Sequence, residues 1–454
     1  MGKNIITAVT LVAGGTLAVL NSTILTPILP VIMAEMEVSA TTVQWLASLF
    51  MLVNAVVVPV TAYVMGRFDV RTLFGASMVI LAAGSLVCLW SPGFGTLLAG
   101  RAVQAVSSGI LMPLIITVLM LLFPPEKRGT VMGVYLLAVS VSPAVGPVLV
   151  GMFADTIGWR MVFAITAGLA LVLLAAGSLL LDRSTSGKPC TLDTASVVLS
   201  AVPLLCLLYG FSSISSGNLA LVAALVVVGI GGLALFVGKQ LRMEVPYLDV
   251  RVLGVHRYAV GTALGALANA VLTAITVVLP LFLQNACGAT PTESGLAVAP
   301  IAAGAAIVSV VAGRLFDVFG ARVSALAGTV LMAGATAAML FVNLDTPLLV
   351  TSLLAALVGM GCMATNVPMN TYAINALPND LISHGNAVGS TLRQVASSLG
   401  TALAVTIMTV GSALCGSGNA AQVVLAGAMA AFAFNFVLAA ASLALAVFGV
   451  RKQR

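Results

Sequence analysis

Long apolar runs separated by short polar punctuation set the pattern of this chain. They cover Ile5–Met33, Gln44–Met65, Thr72–Trp90, Leu97–Phe123, Thr130–Phe153, Trp159–Leu181, Thr194–Phe211, Leu219–Val237, Tyr258–Leu283, Ser294–Ala312, Val323–Val342, Leu348–Pro368, Gly389–Met408 and Val423–Val450. The strands of a membrane β-barrel would be ~10 residues long with dyad alternation. These runs are about twice that length and apolar on every face, which predicts fourteen helices able to cross a ~30 Å hydrocarbon core. The expected fold class is therefore an all-α polytopic membrane protein.

Composition agrees with that pattern. Of 454 residues, 61% are hydrophobic and 7% are charged, against roughly 25% charged in an ordinary soluble domain. A soluble enzyme, a disordered chain and a nucleic-acid partner are excluded, and lipid is the surrounding phase. Assigning alternate loops to the two sides puts sixteen of the nineteen Lys and Arg residues on one side and Arg160 alone on the other. By the positive-inside rule both termini are expected in the cytoplasm of a plasma or inner membrane protein. The run after Met1-Gly-Lys3 is too long for a signal-peptide core, so it is read as a retained first span.

The longest internal polar stretch, Lys239 to Tyr258, divides the chain. Residues 1–190 are expected to form a first six-helix bundle and 191–240 two extra helices. Residues 241–257 form a cytoplasmic linker and 258–454 a second six-helix bundle. A weak internal echo supports the repeat, since Tyr63-Val-Met-Gly-Arg-Phe-Asp-Val-Arg71 follows span two and Gly313-Arg-Leu-Phe-Asp317-Val-Phe-Gly320-Ala-Arg322 follows span ten. Such repeats enclose the substrate path of secondary transporters. No GxxxxGK[ST] nucleotide loop occurs, so ATP is not the motor. His256 and His384 are read as solvated loop residues without metal-ligand company, and no cofactor is expected. The six cysteines lack metal spacing; four are read as small packing residues, while Cys287 and Cys415 fall in outer loops where a disulfide is conceivable.

Several stretches resemble the major facilitator superfamily, and within it the fourteen-span drug:proton antiporter branch. Leu279-Pro-Leu-Phe-Leu-Gln284, Gly288, Pro291 and Ser294-Gly-Leu-Ala-Val-Ala-Pro300 are similar to the pattern joining spans nine and ten. Gly100-Arg101-Ala-Val-Gln104, Phe123-Pro124 with Arg128-Gly129, Trp159-Arg160-Met-Val-Phe163, Leu392-Arg393-Gln394 and Gly400-Thr-Ala402 are further matches. In span five Ser142-Pro143-Ala-Val-Gly146-Pro147-Val-Leu-Val-Gly151 resembles the antiporter motif; its Gly and Pro residues thin and kink the helix. The resemblance implies two six-helix bundles plus two extra helices. It also implies a cytoplasmic gating loop with Asp317 as its acid and Arg314 and Arg322 as its bases. The first-half copy departs from the pattern, with Ala62 and Gly66 where the family has Gly and Asp, and the acid displaced to Asp69.

A proton-driven exporter needs a carboxylate that binds a proton on one side and releases it on the other. None of the thirteen Asp and Glu residues falls in the middle of a span, and span one reads Leu20-Asn21-Ser-Thr23 where the family usually has Asp. Asp155 and Glu293, at outer helix ends, are the candidate coupling acids, and Arg101, deep in span four, a candidate gating base. Asn21, Asn54, Gln104, Asn269, Asn366, Asn370, Arg393 and Gln394 interrupt otherwise apolar helices and are the candidate cavity lining.

The expected function is a proton-coupled antiporter that exports hydrophobic or amphipathic compounds by alternating access as a monomer, with a small-molecule substrate and protons as partners. Two alternatives stand beside it: a dedicated exporter of one metabolite, lipid or anion, and a non-transporting membrane sensor on the same scaffold.

Overall fold

The computed structural model describes residues 2–23, 28–38, 40–43, 45–139, 142, 158–181, 194–212, 219–243, 246, 248–289, 291–414 and 419–450. These residues are almost entirely helical. The first helices are α1 (Gly2–Thr23), α2 (Trp45–Arg67), α3 (Val70–Leu89), α4 (Phe94–Leu122), α5 (described over residues 128–139), α6 (Arg160–Leu180), α7 (Thr194–Ser212) and α8 (Leu219–Arg242). After a short 3-10 turn at Val250–Gly254 comes α9 (His256–Asn285). The run Pro291–Met339 is broken at Gly320, whose φ of 78° and ψ of 178° end one helix and start the next, giving α10 (residues 291–319) and α11 (321–339). Only glycine takes that backbone conformation without a Cβ clash. The chain closes with α12 (Leu348–Asn375), α13 (Ile382–Leu414) and α14 (Ala420–Gly449).

Eleven helical stretches among the described residues are long and apolar enough to cross a membrane, counting the broken run once, and Ala195–Gly210 is a shorter apolar helix. The expected first span Ile5–Met33 holds parts of two described helices. α1 ends at Thr23, and Leu29–Met36 forms a separate short helix closed by Glu37 in the left-handed region (φ 52°). Pro30 stands in the first turn of that short helix, where its missing N–H costs no intrahelical bond.

Packing sorts the helices by sequence. α3 packs on α4 and α6, α4 also on α1 and α2, and α1 on α6; α9 packs on α12, α13 and α14, and α10–α11 on α12 and α14. α7 and α8 pair with each other, and α7 also touches α2 and α13. The two groups meet where α13 crosses α2 and α4.

The core is asymmetric along the helix axes. At the end that carries the 243–257 linker, one cluster combines residues of both groups, among them Met65, Leu119 and Tyr135 with Tyr258, Ile374 and Leu377. At the opposite end each group has its own cluster. Ile32, Leu46, Leu97 and Phe163 belong to one, and Val278, Phe282, Ile301 and Phe432 to the other. The two halves are thus fused at the linker end and separate at the other.

Candidate functional site

Side-chain hydrogen bonds repeat the asymmetry of the core. Among the described residues, those that join the two halves lie toward the linker end. Asp317, at the end of α10, reaches the start of α5: its Oδ1 accepts from the backbone N–H of Gly129 (3.0 Å), and its Oδ2 accepts from the N–H of Thr130 (2.7 Å) and from Thr130 Oγ1 (2.5 Å). The first-turn N–H groups of a helix have no intrahelical acceptor and carry the positive end of its dipole, so a carboxylate satisfies both. Beside it Arg128 Nη1 donates to Asn375 Oδ1 at 2.9 Å. One turn further in, Asn386 Nδ2 donates to the carbonyl of Pro113 (2.9 Å) and to Thr117 Oγ1 (3.3 Å). The carbonyl of Pro113 is approachable from α13 within the shared core.

The gating-loop residues divide. Asp317 makes the cross-half contact, whereas Arg314 and Arg322 are exposed, with no hydrogen bond or ion pair among the described residues. The acid of the gating loop thus pairs with the end of an adjacent helix, α5. In the first-half copy, Asp69 caps α3 by accepting from Thr72 N–H at 2.6 Å, and Arg67 Nη1 donates to Tyr63 at 2.9 Å.

Arg101 is fully buried inside the first half, not open to a cavity. Its Nη1 donates to the carbonyl of Asn21 (3.1 Å), to Asn21 Oδ1 (3.4 Å) and to Gln104 Oε1 (2.7 Å), and its guanidinium lies 4.5 Å from the Phe50 ring centroid. Gln104 in turn donates to Ser85 Oγ at 2.8 Å. Nε and Nη2 of Arg101 have no acceptor among the described residues. The close approach that assembles this cluster comes from glycine: a Cβ on Gly84 would meet the Gln104 N and the Gly100 carbonyl oxygen at 2.9 Å.

The structure brings a second cationic group to the boundary between halves. Arg393 of α13 is half-buried; Nη1 donates to Asn370 Oδ1 at 3.1 Å and Nη2 to Ser390 Oγ at 3.0 Å. A Cβ on Gly389 would meet Arg393 Nη1 at 3.2 Å and the Tyr258 hydroxyl at 3.3 Å, so the two groups lie side by side against that glycine. Asn54, Asn269, Asn366 and Gln394 are half-buried, with Asn366 Nδ2 donating to the Gly265 carbonyl at 3.4 Å, while Asn21, Gln104 and Asn370 are buried. Glu293 is exposed in the first turn of α10. Asp155 and the motif residues Pro143, Gly146, Pro147 and Gly151 lie outside the described residues.

Two sequence expectations change. His384 is not a solvated loop residue: it is buried at the start of α13, and its Nδ1 accepts from the Asp249 N–H at 3.3 Å, tying the linker to that helix. Cys287 is exposed and free, so it forms no disulfide. Thr130, Asn375, Asn386 and Tyr258 were not picked out from the sequence, although Arg128-Gly129 and Asn386, polar groups beside apolar runs, were visible signals.

A family model described as Major Facilitator Superfamily matches residues 11–401. The chain is 37% identical over 431 residues to the MFS-type transporter YcnB of Bacillus subtilis, covering 94% of this chain and 91% of that one. It is 29% identical over 450 residues to the lincomycin resistance protein LmrB of Listeria monocytogenes, covering 97% and 95%. The crystal structure of the human organic anion transporter MFSD10 superposes with a TM-score of 0.70 at 16% identity, covering 98% of this chain and 99% of that one, a likeness of fold alone. Fused at one end and parted at the other, with no nucleotide-binding loop in its sequence, the chain belongs to the Major Facilitator Superfamily and is a non-enzymatic, multi-pass membrane transporter of small molecules.

Proposed function

We propose that this protein is a proton-coupled exporter of hydrophobic or amphipathic toxic compounds, resident in the cell membrane and active as a monomer. In this reading α1 to α14 are its fourteen spans. Residues 1–190 and 258–454 form the two six-helix bundles, 191–240 the extra pair, and 241–257 the linker. Both termini and the linker face the cytoplasm, in keeping with the distribution of Lys and Arg.

The observation that carries the proposal is the asymmetric core. A shared apolar cluster and the Asp317, Arg128 and Asn386 bonds close the linker end, while the opposite end has two separate clusters. That is one end state of an alternating-access cycle, the state in which a substrate leaves to the outside. The named function of LmrB as a lincomycin resistance protein supports export of drugs over uptake of nutrients. Asp317 acts as the gate, holding the cytoplasmic side shut until α10 and α5 separate. Glu293 and Asp155 serve as the coupling acids, and Arg101, bonded to Asn21, ties α4 to α1 and serves in gating.

The test is uptake of a fluorescent amphiphile into everted membrane vesicles with an imposed pH gradient, the direction that corresponds to export from the cell. Transport that stops on collapse of the gradient is expected, as is loss of coupling in the Asp155→Asn, Glu293→Gln double variant. Uptake indifferent to the gradient overturns proton coupling, and full coupling in the double variant overturns the assignment of the acids.

A further inference from the structure

The apolar helices hold two guanidinium groups, Arg101 and Arg393, and among the described residues no carboxylate lies away from a helix end or a loop. Every acid described is peripheral: Glu35 and Glu37 at the end of a short outer helix, Asp69 at a cap, Glu126 and Asp380 in 3-10 turns, Asp249 in the linker, Glu293 in a first turn, Asp317 at the end of α10, Asp345 in a loop. The carboxylate–guanidinium pair of Glu35 with Arg160 is at the outer end. Both embedded cations are held instead by neutral oxygens, Arg101 by Asn21 and Gln104, Arg393 by Asn370 and Ser390.

The two sites are not equivalent. Arg101 is sealed in the first half by Phe50 and has no path to a ligand in this state. Arg393 is half-buried on α13, the helix that crosses α2 and α4 between the halves, and it lies about 16 Å along α13 from its linker end at ~1.5 Å per residue. Its two neutral acceptors use two of the five guanidinium N–H donors. The planar fork left over matches two oxygens of a carboxylate, sulfonate or phosphate. The half-buried amide of Asn366 lies close by: its Nδ2 donates to the Gly265 carbonyl, and a Cβ on Gly265 would meet Arg393 Cδ at 3.7 Å.

We infer that the cargo of this transporter is an amphipathic organic anion whose oxyanion is taken by Arg393, an assignment that rests on the exporter reading above. A cationic drug would meet Arg393 with no carboxylate among the described residues deep in the helices to offset it, and a neutral one would leave its charge without a counter-ion. An inside-negative membrane potential favours outward movement of an anion, so the direction of export and the sign of the site agree.

The experiment uses purified full-length protein in liposomes and three probes built on one fluorophore: a carboxylate, its methyl ester and a quaternary ammonium amide. Protein-dependent initial rates are compared for wild type, Arg393→Gln and Arg393→Lys. The carboxylate is expected to move at least about tenfold faster than the other two in wild type. Arg393→Gln brings its rate down to that of the ester, and Arg393→Lys keeps the order of preference at a reduced rate. Equal rates for the three probes, a faster cation, or an unchanged carboxylate preference in Arg393→Gln overturns the inference and leaves the exporter reading in place. Protein-dependent flux of none of the three removes the exporter reading itself, and a folded Arg393→Lys protein that carries the ester in preference to the carboxylate also counts against the inference.

Discussion

Glu35 shows how a single exposed side chain can tie an outer loop. Its Oε2 accepts from Trp159 Nε1 at 2.5 Å and its Oε1 pairs with Arg160, whose Nη2 also donates to the Ser91 carbonyl at 3.4 Å and whose guanidinium stacks 4.4 Å from the Trp159 ring. The Trp159 N–H first, then Arg160, hold the Glu35 carboxyl below its ordinary value. A depressed carboxylate contributes stability that is present above its unfolded pKa and lost as pH falls through the folded one. The thermal midpoint in detergent is therefore expected to be flat from neutral pH down to about pH 5 and to fall below about pH 4. Glu35→Gln removes that fall and costs no more than about 1 kcal/mol at pH 7, because the pair is solvent-exposed. A pH profile unchanged by the substitution would contradict this account. The sequence marked Arg160 only as the one base on the outer side, since its partner lies 125 residues away in another loop. Arg101 was more legible, because a cation in an apolar helix must be satisfied and Gln104 stands one turn along; Asn21, 80 residues distant, is found only in the fold.

At the scale of helices, α5 and α10 cross almost without side chains between them. A Cβ on Gly129 would meet the Gly313 carbonyl at 2.6 Å as well as the Asp317 carboxylate, and one on Gly133 would meet the Ser309 carbonyl at 2.6 Å. Small residues of this kind let two backbones approach, and here they also bring Asp317 to the first turn of α5. Asp317→Asn keeps an acceptor and loses the charge. The expected cost to the closed linker end is about 1 kcal/mol, roughly a fivefold shift toward the open state. Gly313→Val prevents the approach outright and should leave the linker end open. Distances between spin labels on the linker ends of α5 and α10 measure both effects, and a distribution identical to wild type in Gly313→Val would refute the role of the crossing. The gating loop itself was legible from its Gly and Asp spacing. Its partner was not, because α5 offers backbone N–H groups that every helix start possesses.

The whole molecule is held at one end, so locking that end should stop transport. In a cysteine-free background, Arg128→Cys with Asn375→Cys puts one thiol on each side of the boundary that a hydrogen bond of 2.9 Å now joins, and a reducible bifunctional methanethiosulfonate reagent spans the gap left by the arginine side chain. Bridging them is expected to abolish efflux and reduction to restore it, whereas single variants retain at least about a third of the wild-type rate; efflux undiminished by the bridge would mean that this end need not open. Composition and run length by themselves determined that the chain lives in lipid as apolar helices, since so few charges cannot cover a water-facing surface and apolar runs of this length match a bilayer. Near-uniform apolarity is also why they could not say which helix faces which, where an apolar run stops being one helix, or which end of the molecule is shut. Those were decided by tertiary structure, through glycine-permitted crossings and through polar pairs such as Asp317 with Thr130, 187 residues apart in sequence.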